Sequence, residues 1–183
     1  GLGRVVLSQP TLTSVQVAED FAPSPFGFKL DSVVSGLTGS TVTGPAGAPP
    51  AMSVDIGAVN PAAGETVRFT FDLPDGSSET LTLTATASAT PGENEFTIGA
   101  TSDVTATNLQ TALTTALGDL ADTALTAASA FAASENFFNI DAANPPQRVG
   151  TSPFTGATTL IDGTALNTVS WYTGEAGTGS ARS

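Results

Sequence analysis

The chain has 183 residues, about the size of one domain, with 40% hydrophobic side chains but only 12% charged ones, about half the usual ~25%. Seventeen acids against five bases give a net charge of −12, and the bases (Arg4, Lys29, Arg68, Arg148, Arg182) lie far apart in the sequence. That excludes a clustered basic grip on nucleic acid or on an anionic membrane. With no Cys and no His, thiol nucleophiles, Ser-His-Asp triads, zinc sites built on His or thiolate, and disulfides are excluded as well.

Residues 4–18 read as extended, with Thr13, Val15 and Val17 alternating against Leu12, Ser14, Gln16 and Ala18. Residues 21–28 form a loop punctuated by Pro23 and Pro25, whose three Phe read as a plug for a core rather than a ligand platform. Two short strands are expected over 28–43, around Gly36 and Gly39. Gly44-Pro45-Ala46-Gly47-Ala48-Pro49-Pro50 reads as a semi-rigid linker.

The clearest β unit follows. Ser53–Gly57 is a short strand and Asn60–Gly64 a turn. In 66–73, Val67, Phe69, Phe71 and Leu73 share one face, and Arg68, Thr70 and Asp72 the other. Pro74-Asp75-Gly76 turns the chain into 80–86, where Leu81, Leu83 and Ala85 alternate with Thr. Phe96–Ile98 is a further strand. Then the period changes to threes and fours, with Leu109, Ala112, Leu113, Ala116, Leu117 and Leu120 marking an amphipathic helix. Ser102 or Asp103 is its expected cap and Gly118 its expected stop. Residues 122–138 read as a second helix, against a strand alternative suggested by Thr123, Thr126 and Ser129, with Phe137-Phe138 joining the core. Residues 167–173 read as a last strand carrying Trp171 and Tyr172, and 175–183 as a Gly/Ser tail.

The expected fold class is α+β, with antiparallel hairpins packed by one or two helices. Residues 1–50 and 141–183 are expected to form a discontinuous second β layer around a compact 52–140 unit. No signal-peptide pattern opens the chain and no apolar run approaches the ~20 residues of a membrane span. Its ends carry no terminus signal, which fits a segment of a longer protein.

Carboxylate pairs are the remaining catalytic vocabulary. Glu93 and Glu95, Glu19 and Asp20, and Asp72 and Asp75 are the candidates, but glycoside hydrolysis needs two acids across a cleft. Glu93 sits in a Pro-Gly-Glu-Asn turn, where solvated acids are ordinary. Asp72-Leu73-Pro74-Asp75-Gly76 lacks the alternating ligands and distal Glu of a calcium loop. Lys29 reads as a salt-bridge partner rather than a catalytic base. On a strand Trp171 and Tyr172 point to opposite faces; an exposed Tyr172 would stack on a sugar, but the favoured reading is a partly buried Trp171 with Tyr172 at a rim. No residue is assigned a catalytic, cofactor-binding or metal-ligating role, and no cofactor is expected.

Several phrases resemble the central, variable region of alphaproteobacterial flagellins and of flagellin-like hook-associated proteins of the hook–filament junction. They are Gly64-Glu65-Thr66-Val67-Arg68-Phe69-Thr70-Phe71 with Leu73-Pro74-Asp75-Gly76, Glu95-Phe96-Thr97-Ile98-Gly99-Ala100, and Ala106-Thr107-Asn108-Leu109-Gln110-Thr111-Ala112-Leu113. Phe137-Phe138-Asn139, Asn144-Pro145-Pro146-Gln147-Arg148-Val149 and the run from Asn167 to Glu175 add to it. The resemblance implies a non-enzymatic outer domain, extracellular on the flagellum. Its partners would be other flagellar subunits, met through parts of the parent protein absent here. The alternative is an extracellular module binding glycan or another surface. The third reading is a catalytic fragment using Glu93 and Glu95.

Overall fold

A computed structural model describes residues 2–21, 27–138, 145, 147–149 and 159–163. The fold is α+β: two four-stranded, mostly antiparallel sheets packed against one long helical rod. The first sheet has the order β1 (Val5–Ser8), β2 (Ser14–Glu19), β5 (Ala51–Asp55), β4 (Thr41–Ala46). The second has the order β3 (Lys29–Ser35), β6 (Thr66–Asp72), β7 (Ser78–Thr86), β8 (Glu95–Thr97). A separate antiparallel pair joins β9 (Gln147–Val149) to β10 (Leu160–Asp162).

Alternation sets the inner faces. Val67, Phe69 and Phe71 of β6 and Leu83 of β7 are fully buried, while Arg68 between them is exposed. In the other sheet Val15 and Val17 pair with Val54 and Met52, and all four are buried. The outward face of the second sheet is threonine-rich, with the Thr70 and Thr80 hydroxyls 3.0 Å apart across the β6–β7 pair. Gly76 takes φ +82° in the connecting turn, as the Pro-Asp-Gly sequence requires.

The two sheets meet through β3, which contacts β4, β5 and, less closely, β2, leaving a mouth between β1–β2 and β7–β8. The helix α1 (Ser102–Leu120) fills the mouth, packing on β7 and β8 from one sheet and β1 and β2 from the other. Thr105, Ala106, Leu109, Leu113, Ala116 and Leu117 form its buried face. Its threonines are tolerated because their hydroxyls bond back along the helix. Thr107, Thr111, Thr114 and Thr115 each donate to the carbonyl four residues earlier, so none competes for the backbone of another element.

The structure departs from the sequence expectations in four places. Residues 44–50 are the end of β4 and a tight turn into β5, so they close a hairpin instead of linking two units. Strands from either side of that hairpin share both sheets: β5 pairs with β2, and β3 pairs with β6. A single buried cluster spans Val5 to Ala128, with residues 141–183 lying almost wholly outside the described set. Third, β8 runs parallel to β7. The connecting loop is tied by its own side chains, with Ser88 bonding Thr90 and the Thr97 hydroxyl donating to the Ser88 carbonyl. Fourth, the helix does not stop at Gly118. It continues through a π turn (Ala121–Leu125) into α2 (Thr126–Phe138). Ala121 and Leu125 are still core-facing, and their burial outweighs the ~1 kcal/mol helix penalty of glycine. The residue preceding the helix is Thr101, whose side chain makes no capping bond, with Asp103 in the first turn.

The aromatic loop is partly a plug. Phe28 is buried and its ring lies 5.3 Å from that of Phe71, tilted by 46°, whereas Phe21 is 45% exposed. Phe28→Ala should therefore cost about 3–5 kcal/mol of stability, and Phe21→Ala less than about 1 kcal/mol. Paired denaturant melts of the two variants check the assignment.

Candidate functional site

Among the described residues, a cleft of about 390 Å³ lies between the 89–97 segment and α1. One wall is the turn carrying Glu93, Asn94 and Glu95; the other is the helix face of Asn108, Thr115 and Asp119. Ala112, Ala116 and the buried Phe96 contribute apolar surface. Both members of the candidate acid pair therefore lie on the rim of one cleft, but on the same wall. Glu95 is committed to its own turn, where its carboxylate accepts the Gly92 amide at 2.8 Å. The carboxylate opposite them is that of Asp119. This is an acidic groove with hydroxyl and amide groups, into which no basic side chain projects among the described lining residues.

The other candidate acids serve the backbone. Glu19 and Asp20 do not converge. Glu19 is 6% exposed and receives Lys29 Nζ at 2.8 Å and the Leu30 amide at 3.1 Å, whereas Asp20 is exposed. Lys29 is thus a salt-bridge partner, to a carboxylate more buried than the sequence suggests. Asp72 accepts the Ser78 hydroxyl at 2.6 Å. Asp75 accepts both the hydroxyl and the amide of Ser77, at 2.6 and 3.0 Å. No group of three metal-ligating side chains converges among the described residues. Trp171 and Tyr172 lie outside them.

One polar cluster is not evident from motif reading. Thr105 is fully buried. Its hydroxyl accepts the Gly99 amide at 2.8 Å and donates to Asn60 Oδ1 at 2.7 Å. The Asn60 amide returns a bond to the Gly99 carbonyl at 2.8 Å, and Asn108 donates to the Thr97 carbonyl at 2.8 Å. These residues form one wall's foundation, fixing α1 to the strand β8 that lines the cleft. The available signal was the position of Thr105, four residues before Leu109 on the apolar stripe. A hydroxyl there must find partners.

Three carboxylates are held below their ordinary pKa by hydrogen bonds. Glu65 is lowered chiefly by the Thr38 hydroxyl, then by the Thr38 and Ala62 amides. Asp75 is lowered by the Ser77 hydroxyl and amide, and Asp103 chiefly by the Thr101 hydroxyl.

Comparisons with protein-family models, curated proteins and solved structures returned no match to the chain.

Two outcomes follow from these contacts. Thr105→Val removes the buried hydroxyl that pairs the half-buried Asn60 Oδ1 and Gly99 amide and should cost about 1–3 kcal/mol. The exposed control Thr111→Val should stay within about 0.5 kcal/mol by the same chemical melts. For the depressed carboxylates, the native state binds protons less readily than the unfolded chain. Their contribution is present at neutral pH and declines as the pH falls below about 4 through their native pKa values. Glu65→Gln should flatten that acid limb in a pH series of thermal melts.

Proposed function

We propose that the chain is a non-enzymatic structural domain of a bacterial flagellar subunit, from the filament or the hook–filament junction, and that it projects from the assembled flagellum. The observation that carries this reading is where the flagellin-like phrases fall. Gly64–Phe71 leads into and forms most of β6, Leu73–Gly76 is the β6–β7 turn, Glu95–Ala100 contains β8, and Ala106–Leu113 is the central part of α1. Within the described residues, the resemblance thus falls mostly on segments that build the core. Val67, Phe69, Phe71, Phe96, Ala106, Leu109 and Leu113 within those phrases are all buried.

The physical character of the domain supports the same reading. A subunit exported unfolded and folded outside the cell must fold without cross-links, and this chain has no cysteine and a single continuous apolar cluster. Its outward threonine face carries little charge, and the chain's net negative charge favours repulsion between neighbouring copies. Polymerisation would reside in segments of the parent protein outside this chain.

Antibodies raised against the purified chain should decorate flagella, along the filament or at its junction with the hook, in immunogold images of cells that make the parent protein. Label confined to the cell body would overturn the assignment.

A further inference from the structure

The rod from Ser102 to Phe138 contains a conflict between helix geometry and burial. Leu109, Leu113, Leu117, Ala121 and Leu125 are all buried, each four residues beyond the last. In an α-helix, a step of four overshoots a full turn by about 40°. Leu125 would then stand about 120° from Leu113, off the core face. Instead it is 8% exposed, and a Cβ on Gly3 would collide with its side chain and with the Phe28 ring. The π turn at Ala121–Leu125 brings it back. A π turn accommodates one more residue than an α turn, which withdraws the accumulated overshoot. Ala128 is buried and Ala132 half-buried along the same line. Beyond the π turn the stripe one residue out of phase is turned away, with Ala127 exposed and Phe131 52% exposed, while Ala124 within the turn stays half-buried against the cluster.

We infer that this π turn is a register device: it selects which of two apolar stripes on α2 faces the body. Phe131 is 18 residues beyond Leu113, about five whole α turns. A straight helix would thus align Ala124, Ala127 and Phe131 with the core face. Straightening rotates α2 by one residue's step, about 100°, and withdraws Leu125 from Gly3 and Phe28. The orientation of α2 is coupled in this way to the seating of the N-terminal hairpin. A side chain holds the present register. Thr126 Oγ1 donates to the Ala121 carbonyl, five residues back, at 2.9 Å. Thr107, Thr111, Thr114, Thr115 and Thr123 instead reach the carbonyl four residues back. The Thr126 hydroxyl thereby satisfies a carbonyl within the π turn. This inference is independent of the flagellar assignment.

If the π turn amounts to one inserted residue, removing Thr123 leaves an unbroken α-helix with Leu125 and Ala128 still seated. That variant should keep a cooperative thermal transition with its midpoint at or above the parent's. Removing Thr114, where no π turn exists, should abolish the transition, because everything beyond it rotates by about 100°. Thr126→Val should lower the parent midpoint by about 2–4 °C and leave the Thr123-deleted protein unchanged. Because the chain has no other cysteine, Leu125→Cys and Phe131→Cys report facing directly. In both backgrounds the thiol at 131 should label faster than that at 125. The inference fails if deleting Thr123 unfolds the protein as deleting Thr114 does. It fails equally if Thr126→Val costs the same in both backgrounds, or if the order of thiol reactivities reverses.

Discussion

Two sheets that meet through the single strand β3 leave an apolar mouth on their far side, and the whole fold depends on closing it. The inner faces of β1 and β2 on one side and of β7 and β8 on the other cannot reach each other, so α1 must lie between them. Its placement is fixed by the Thr105 hydroxyl, which binds the 60 turn and the end of β8 to the first turn of the helix. Apolar burial supplies most of the energy but little direction. The hydrogen bonds of the buried Thr105 supply direction, since any shift of α1 along its groove would part its hydroxyl from the half-buried Asn60 and Gly99. The cleft beside Glu93 and Asp119 exists because β8 and α1 are held at that separation.

The same chain shows how a protein with few charges satisfies its polar groups. The described salt bridge joins Lys29 to a buried Glu19. Elsewhere, carboxylates staple turns: Glu65 ties the 38 turn to the 62 turn, and Asp75 holds the β6–β7 hairpin. Threonine hydroxyls close on their own helix backbone. Most of these bonds close a single turn or one step of a helix, and Glu65 joins two turns 27 residues apart, so a weakly charged exterior coexists with well-determined loops. Such a surface places the domain's stability in the core and its turns instead of in salt-sensitive ion pairs.

The acids illustrate how function and turn chemistry share a vocabulary. Glu93 and Glu95 are two apart in sequence and do lie together on a cleft rim, yet Glu95 is engaged with Gly92. Sequence spacing shows that two carboxylates are near each other. It does not show whether they face a common point or close a turn, because that depends on the backbone between them. Asp119, on the opposite wall, comes from a helix 24 residues further on, a separation that no motif encodes.

Alternation at Val67, Phe69 and Phe71, the Pro-Asp-Gly turn and the three-and-four stripe from Leu109 to Leu117 determined strands, hairpin and helix from sequence alone. Each of these signals is local: a period of two or near 3.6 and a residue able to take positive φ. Pairing partners were decided only by the tertiary structure. Gly44–Pro50 has the composition of a linker, but becomes a hairpin because β4 finds β5 and, through it, β2. Gly118 has the character of a helix stop, but is overridden because Leu120, Ala121 and Leu125 can still pack beyond it. In both places a local preference of about 1 kcal/mol competed with burial that only the assembled core could provide.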